Sequence, residues 1–473
     1  MRKESFVGGG DVAEENPMSS VRQPKASFLK MLAFLLMISI GPGALTLSAQ
    51  ALGVGLVLVV VCTAYATFAM VWSMLAFERV KEAMDARGWK VLTYQDLGTR
   101  LFCGEVGRRF VEVAVVSFQF LVCCVYFEFT TSTLTKLFPG VGFGKILGFG
   151  SGRAVFTALA YGPVCLACCI QYLKDLGSLA QLSAGAYCFG WMLTLGYCVT
   201  RLCESGAANA AVAPETSSPW QTINLYATLL YAFEGMPAAL PQTMDAIEDR
   251  RRGPELLSLG MLVVGAVYFL TLLLGLLAFQ NPQSPITFNL IDSYGRTFLP
   301  VFINLLLVVA VFFKYPLQFF PMISLLERNV GFGPGSRMEA VTNTHSDNET
   351  PPEARPLVTS HREKNNEDET FDVFVGRGRD TLRVVLFRCA IVALTALFAL
   401  LVGSLDILIE IAGAIFAPLL AFVFPLTAEL ILVESGHIQR SPLQRLTSTI
   451  LLLLSITLAL LAIIALGFDL LYT

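Results

Sequence analysis

Long apolar stretches alternate with shorter polar segments along the whole 473-residue chain. Each stretch holds roughly 20 mainly apolar residues, enough for an α-helix to cross a bilayer. We therefore predict an all-α, polytopic membrane protein with about 11 transmembrane helices. The predicted spans are Phe28–Leu52, Val54–Phe77, Val111–Phe138, Ala154–Tyr172, Leu176–Arg201, Trp220–Asp245, Leu256–Phe279, Phe298–Leu326, Leu382–Gly403, Asp406–Val433 and Leu446–Leu471.

The polar segments predict the organisation around these spans. Residues 1–27 form a polar tail without the apolar core of a signal peptide. The stretch 327–380 is rich in Asn, Glu, Arg, Pro and Thr, so we expect a disordered cytoplasmic loop. Residues 28–201 would hold a first five-helix repeat, 220–326 the next three helices, 381–433 two more and 444–473 the last.

Lys and Arg are concentrated in alternate loops, which predicts a cytoplasmic N-terminus. The loops placed inside by this assignment hold Arg79, Lys81, Arg87, Lys90, Arg100, Arg108, Arg109, Arg250, Arg251, Arg252, Arg440 and Arg445.

Composition supports the membrane class and excludes others. The chain is 55% hydrophobic and only 15% charged, with a mean hydropathy of +0.65. A net charge of −3 argues against nucleic acid as a partner. The sequence contains no Walker, nucleophile-elbow or metal-cluster pattern, so we predict neither an enzyme nor a pump, and no cofactor or metal. Cys165 and Cys168 have a metal-like spacing, but small buried thiols are the expected interpretation.

Helix-breaking residues interrupt the first span at Ser39-Ile40-Gly41-Pro42-Gly43-Ala44-Leu45. Glycine weakens a helix, and proline removes a backbone donor and clashes with the preceding turn. In hydrocarbon such a break survives only where protein or a water-filled cavity covers it. A broken first helix at the midplane is a common way for secondary transporters to build a substrate site.

A second interruption lies in the sixth span, at Tyr231-Ala232-Phe233-Glu234-Gly235-Met236-Pro237. Breaks at corresponding positions of two five-helix units indicate an inverted-repeat binding site, although Gly and Pro can also merely kink membrane helices. Exposed N–H groups at a half-helix N-terminus attract a carboxylate, and freed carbonyls can hold an ammonium or a cation. The pattern therefore favours a zwitterionic ligand.

Several short motifs make the chain resemble the amino acid/auxin permease family, particularly its proton-coupled amino acid transporter branch. The ordered matches are Ile40-Gly41-Pro42-Gly43-Ala44-Leu45, Tyr94-Gln95-Asp96-Leu97-Gly98, Cys124-Val125-Tyr126-Phe127, Ala232-Phe233-Glu234-Gly235, Tyr315-Pro316-Leu317-Gln318-Phe319 and Leu401-Val402-Gly403-Ser404. This resemblance implies a LeuT-like fold of two inverted five-helix repeats plus one helix, and amino acid transport by alternating access.

The chain also departs from that family's pattern. Phe34 stands where the proton-coupled branch usually has a histidine, and the three histidines, His345, His361 and His437, all fall in predicted loops. Ser48 replaces an expected proline, and Lys314 stands where a small or hydroxyl residue is usual. Histidine-mediated coupling inside the membrane is therefore excluded.

A charge inside a membrane span costs about 2.5–3.5 kcal/mol on insertion scales, and we assign candidate roles to three such residues, Glu234, Glu128 and Lys314. Glu234 is interpreted as a proton acceptor or substrate-sensing clamp, or as a structural acid that satisfies the broken helix. Glu128 is either a second proton carrier or an outward-facing group near the membrane edge. Lys314 either replaces a sodium ion between the first and eighth helices, or pairs with Glu128 or Glu234 for structure alone.

From these observations we predict a secondary active transporter of small, neutral amino acids, with protons as the coupling ion. A sodium-coupled or uncoupled transporter and a non-transporting amino acid sensor are the alternatives. Its partners would be the amino acid, the coupling ion and lipid, in the plasma membrane or an acidic internal (vacuolar or lysosomal) membrane. The predicted substrate-binding residues are Ser39, Ile40, Gly41, Pro42, Gly43, Ala44, Tyr126, Tyr231, Phe233, Glu234, Gly235 and Met236, with Glu234, Glu128 and Lys314 in ion coupling.

Overall fold

The computed structural model describes residues 27–89, 94–102, 104–139, 152–169, 177–205, 219–233, 249–331 and 379–472. Every regular element within these ranges is helical, which confirms the predicted all-α class. The predicted tail before residue 27 and the predicted loop between 332 and 378 lie outside the described residues.

The helices follow the predicted spans closely. They are α1 Phe28–Ser39, α2 Leu47–Gln50, α3 Leu56–Asp85, α4 Tyr94–Leu101, α5 Glu105–Leu137, α6 Gly152–Cys168, α7 Gly177–Ser205, α8 Pro219–Ala232, α9 Gly253–Ala278, α10 Thr287–Tyr294, α11 Phe298–Val330, α12 Arg379–Val402, α13 Leu405–Ile411, α14 Phe424–Glu434 and α15 Pro442–Tyr472. A 3₁₀ turn, Pro42–Leu45, separates α1 from α2, and another, Arg250–Arg252, precedes α9.

Eight helical segments in the described part of the chain are long and apolar enough to cross a membrane. The shorter α6 is also apolar, and the first span is divided into pieces by its break. The exact count of 11 crossings stays a prediction.

Two predicted boundaries are wrong because helices extend further into polar sequence. The second span was expected to end at Phe77, but α3 continues to Asp85, where its Glu78 and Lys81 are buried. The ring of Phe77 packs on Tyr94 of α4 with centroids 4.8 Å apart, so the charged segment after the second span is partly folded against the bundle. Likewise α11 ends at Val330, beyond the expected loop start at Glu327.

The helices pack as two groups around the broken first span. In one group α9 lies along α1 and α3, and α3 contacts α8. In the other, α5 lies along α11, α6 and α12. The α7 helix packs along α11 and also contacts α9, so it bridges the two groups. Large aromatic side chains fill the centre, among them the fully buried Tyr126, Tyr231, Tyr268 and Tyr315.

The tenth predicted span is irregular rather than a uniform α-helix. Two π-helical segments, Ala412–Phe416 and Leu419–Val423, lie between α13 and α14. A side chain at Gly413 would collide with the carbonyl oxygen of Ala227 on α8. Because glycine has no side chain, this π-helical segment can approach the α8 backbone, near the end of α8. Wide turns of this kind recur at functional sites.

Candidate substrate and ion site

The first span is broken where the Gly-Pro-Gly sequence predicts it. Helix α1 ends at Ser39, and Ile40 and Gly41 adopt extended backbone conformations. A 3₁₀ turn begins at Pro42, which supplies no N–H, and α2 begins at Leu47. All residues from Ser39 to Leu45 are buried. The interrupted backbone is therefore covered by protein, as a break inside hydrocarbon requires.

Side chains from three other helices reach the carbonyls that the break releases. The Tyr268 hydroxyl of α9 lies 2.5 Å from the carbonyl oxygen of Ser39. The Lys314 ammonium of α11 donates to Ile40 O at 3.1 Å, and the Tyr187 hydroxyl of α7 donates to Gly41 O at 2.6 Å. The sequence predicted that these carbonyls could hold an ammonium or a cation. In the structure each already accepts a hydrogen bond from the protein.

The break lies directly against the end of α8. A side chain at Gly43 would come within 2.9 Å of the Tyr231 ring and 3.2 Å of the Ala232 Cα. The Tyr268 hydroxyl also lies 2.5 Å from Ala232 O, so one side chain joins the end of α1 to the end of α8. Phe233 packs edge-on against the Tyr268 ring, with centroids 5.0 Å apart. The structure thus brings Ser39, Gly43, Tyr231 and Phe233 together.

The remainder of the second predicted interruption lies outside the described residues. Helix α8 ends at Ala232, and Phe233 is the last described residue before 249. The predicted roles of Glu234, Gly235 and Met236 consequently stay predictions.

Lys314 lies between the break and Tyr126. Its side chain is in the protein interior, with 6% of the residue exposed. Besides bonding Ile40 O, its ammonium lies 5.9 Å from the centre of the Tyr126 ring, within range of a cation–π contact. Tyr126 is fully buried on α5. Lys314 therefore joins α11, α5 and the broken helix at one point.

Glu128 is placed differently from two of the expectations. It is 1% exposed, so the expectation of an outward-facing group near the membrane edge is wrong. Its carboxylate lies 3.4 Å from the Arg153 guanidinium of α6, so the expected pairing with Lys314 is wrong too. Its partner Arg153 belongs to the neighbouring helix α6, a pairing that sequence spacing did not indicate.

A narrow apolar cavity adjoins Tyr126. It lies between α5, α6 and α11, and is lined by Tyr126, Phe127, Thr130, Ala160, Val164, Val311, Phe312 and Tyr315. Its walls include α6, which contributes none of the predicted substrate residues.

The loop before α10 packs over the broken helix. The Ile286 N–H donates to Leu45 O at 2.8 Å, and the Ser284 hydroxyl donates to the Asp406 carboxylate of α13 at 2.5 Å. Further along, the Lys136 ammonium lies 2.9 Å from the Asp292 carboxylate. Partial burial acts to raise the pKa of Asp292, but hydrogen bonds from Lys136 and Gln283 and the nearby positive charges outweigh it and lower that pKa.

Sequence reasoning missed Tyr187, Tyr268 and Arg153. The available signal was a single hydroxyl or charge in an otherwise apolar stretch, because a buried polar group needs a partner. Nothing in the sequence indicated which partner, since all three reach across to other helices.

Comparisons with known proteins indicate the family and the fold. A family model described as "Transmembrane amino acid transporter protein" matches residues 24–468. Amino acid transporter AVT3C of Arabidopsis thaliana is 25% identical over 339 residues, covering 68% of this chain and 74% of that protein. Amino acid transporter AVT3B of the same plant is 24% identical over 331 residues, covering 68% and 77%.

Among solved structures, the crystal structure of MhsT in complex with L-phenylalanine aligns over 94% of this chain and 100% of that one. The TM-score is 0.52 at 15% sequence identity. This likeness concerns the fold alone, and it confirms the predicted LeuT-like arrangement.

Proposed function

This chain belongs to the transmembrane amino acid transporter family, and on that premise we propose that it moves small, neutral amino acids by alternating access, coupled to protons and not to sodium. It is an integral, multi-pass membrane protein of a transporter family rather than an enzyme. The observation that carries the proposal is the buried break of the first span against the end of α8.

The substrate carboxylate would bind at the start of the 3₁₀ turn. The first N–H groups of a helical turn have no acceptor within it, and the local dipole favours an anion there. Pro42 has no N–H, so that of Gly43 opens the turn. With no Cβ, Gly43 lets the turn pack directly against the Tyr231 ring and the Ala232 backbone. Tyr126, Tyr231 and Phe233 would then surround the substrate side chain, and their bulk favours a small one.

The Lys314 ammonium supports sodium independence. In the resembled fold this part of the eighth span passes a sodium site next to the first helix. Here a tethered positive charge already bonds Ile40 O at 3.1 Å. A sodium ion in the same place would meet a like charge at close range and a carbonyl already in use. Lys314 thus supplies permanently the positive charge that an ion would supply on binding.

Transport by purified full-length protein in proteoliposomes tests the proposal. Counterflow of labelled neutral amino acids, screened one at a time, should give exchange that is unchanged when sodium is replaced by choline. A pH gradient should drive accumulation. Strict sodium dependence would reject the coupling, and absence of counterflow for every amino acid would reject transport in favour of a sensor.

A Lys314→Met variant tests the role of the tethered charge. It keeps most of the side-chain volume but removes the donor to Ile40 O, so transport should fall by at least tenfold. Lys136→Met is the matched control, because Lys136 bonds Asp292 in the outer loop region away from the break. A Lys314→Met protein that transports like the control would contradict the assignment.

The cytoplasmic N-terminus is also proposed from the charges at one end of the bundle. Arg108, Arg109 and Arg328 converge on Glu112 there, and Arg440 pairs with Glu429. A positively charged end is expected inside. Labelling of single cysteines introduced at either end, in sealed vesicles, tests this orientation.

A further inference from the structure

One buried carboxylate in the bundle is only half satisfied. Glu128 lies within α5, about 13 Å along the helix from Leu137 at 1.5 Å per residue. One carboxylate oxygen is 3.4 Å from the Arg153 guanidinium. The other oxygen is buried and has no hydrogen-bond partner among the residues that the structure describes. An ionised carboxylate in that position is costly, whereas a protonated one loses most of the penalty.

Arg153 is shared between this carboxylate and a turn of the backbone. The same guanidinium nitrogen that faces Glu128 donates to the carbonyl oxygen of Gly403. Gly403 has φ +61°, and a side chain there would lie 2.8 Å from that nitrogen. Glycine is therefore required at 403 both for its conformation and for the approach of Arg153. With 36% of its side chain exposed, Arg153 has room to move between its two acceptors.

The Gly403 turn is connected to the broken helix by a short series of contacts. It joins α12 to α13, and Asp406 in the first turn of α13 accepts a hydrogen bond from Ser284. Two residues later in the outer loop, the Ile286 N–H bonds Leu45 O at the end of the 3₁₀ turn. A shift of Arg153 toward or away from Gly403 can thus be transmitted to the break through packed, bonded elements.

We infer that Glu128 is the residue that carries the coupled proton, and that Arg153 is its internal counter-charge. This inference rests on the proposed function. When Glu128 binds a proton from the outer side, its carboxylate becomes a neutral acid and Arg153 bonds the Gly403 carbonyl alone. When the proton leaves on the inner side, the carboxylate is restored and Arg153 turns back to it.

The other charged groups on the packed helices have partners of their own. Lys314 of α11 bonds Ile40 O, and Arg388 of α12 pairs with Glu327. On α13, Asp406 accepts from Ser284, and Glu410 is buried and has an interaction of its own. On α5 itself, Lys136 pairs with Asp292. Among the described residues, Arg153 is the one cation within ion-pair distance of Glu128. Lys145, in the segment between α5 and α6, is not among the described residues.

The test measures accumulation and exchange separately in proteoliposomes of the full chain, using the labelled amino acid that gives counterflow. For Glu128→Gln we expect loss of accumulation driven by the pH gradient and counterflow that no longer depends on pH. Glu410→Gln, which removes another buried acid on a helix packed against α5, is the matched control and should keep the pH response.

The outcomes separate this inference from the proposed function. A wild-type protein without any response to the pH gradient would overturn both. A wild type that responds, together with a Glu128→Gln protein that also accumulates, would overturn the assignment of Glu128 alone.

Arg153→Gln provides a second measurement should Glu128→Gln not yield folded protein. An opposite charge nearby moves carboxyl titration by about 1–3 pH units. Removing the guanidinium should therefore move the pH of half-maximal uptake upward by about one unit, and Arg153→Lys should restore most of it. An unchanged pH profile in Arg153→Gln would overturn the inference.

Discussion

Replacing Tyr268 with Phe removes one hydroxyl from the point where the ends of α1 and α8 meet. The oxygen lies 2.5 Å from both Ser39 O and Ala232 O, and the residue is fully buried. Phe fills the same space apart from that oxygen, so no large cavity forms. The variant therefore isolates the hydrogen bonding at the junction.

The expected loss of unfolding free energy depends on whether the two carbonyls keep another hydrogen-bond donor. An orphaned buried acceptor costs about 1–3 kcal/mol in soluble proteins, whereas hydrogen bonds between membrane helices average about 0.6 kcal/mol. Most helix carbonyls already accept a hydrogen bond within their own helix, which is why the average for bonds between membrane helices is low. Ser39 and Ala232 are the last residues of α1 and α8, so their carbonyls lie where the helical ladder stops. We expect Tyr268→Phe to lose about 2 kcal/mol of unfolding free energy, within the range for orphaned acceptors.

Tyr315→Phe is the matched control. The Tyr315 hydroxyl is equally buried and lies 2.8 Å from the Thr395 hydroxyl. The Thr395 hydroxyl also donates to Val392 O, so it keeps a partner in the variant. Tyr315→Phe should therefore lose only about 0.6 kcal/mol of unfolding free energy. Equilibrium unfolding in mixed detergent and SDS micelles gives both values. Equal losses in the two variants would refute the argument that the junction holds unpaired carbonyls.

Three further predictions concern packing, pH and the buried acid Glu429. Gly43→Ala should reduce transport by at least tenfold while the protein still folds, because the alanine methyl group would meet the Tyr231 ring and the Ala232 backbone of α8. Uptake by the purified protein measures the loss. Asp292 has a lowered pKa, so its contribution to stability is present above its unfolded value of 3.8 and is lost as pH falls through the folded value. Asp292→Asn should therefore flatten the acid limb of a stability–pH curve, by less than about 1 kcal/mol for so exposed a pair with Lys136. Glu429→Gln should cost about 3–5 kcal/mol of unfolding free energy, because it leaves two arginine partners beside a buried neutral amide. Glu105→Gln is the exposed control and should cost less than about 1 kcal/mol when unfolding is measured in the same micelles.

The break at Gly41 was predictable because its cause is local. A proline between two glycines removes a donor and weakens the helix whatever surrounds it. The family resemblance likewise placed Lys314 near the first helix, and the structure shows it bonded there. These conclusions needed only neighbouring residues or a known fold.

Partners across the bundle could not be predicted in the same way. Tyr187 and Arg153 are 146 and 250 residues from the backbone oxygens to which they donate. Apolar periodicity indicates that such side chains are inside the bundle but does not indicate which helix they face. Glu128 shows the consequence, since its position in an apolar span was evident and its counter-charge was not.

The three donors at the break belong to different parts of the bundle, which decides what each bond does during transport. Alternating access is largely the rocking of one group of helices against another around a fixed site. Tyr268 is on α9, which packs with α1 and α3, and α3 in turn contacts α8, so its bonds to Ser39 and Ala232 stay within one group and hold the site together. Lys314 is on α11, which packs with α5 in the other group, and Tyr187 is on α7, which bridges the two groups; their bonds to Ile40 and Gly41 therefore link the broken helix to helices outside its own group. Those two bonds must lengthen when the groups move. Tyr187→Phe should accordingly change the rate of exchange more than the stability, the reverse of Tyr268→Phe.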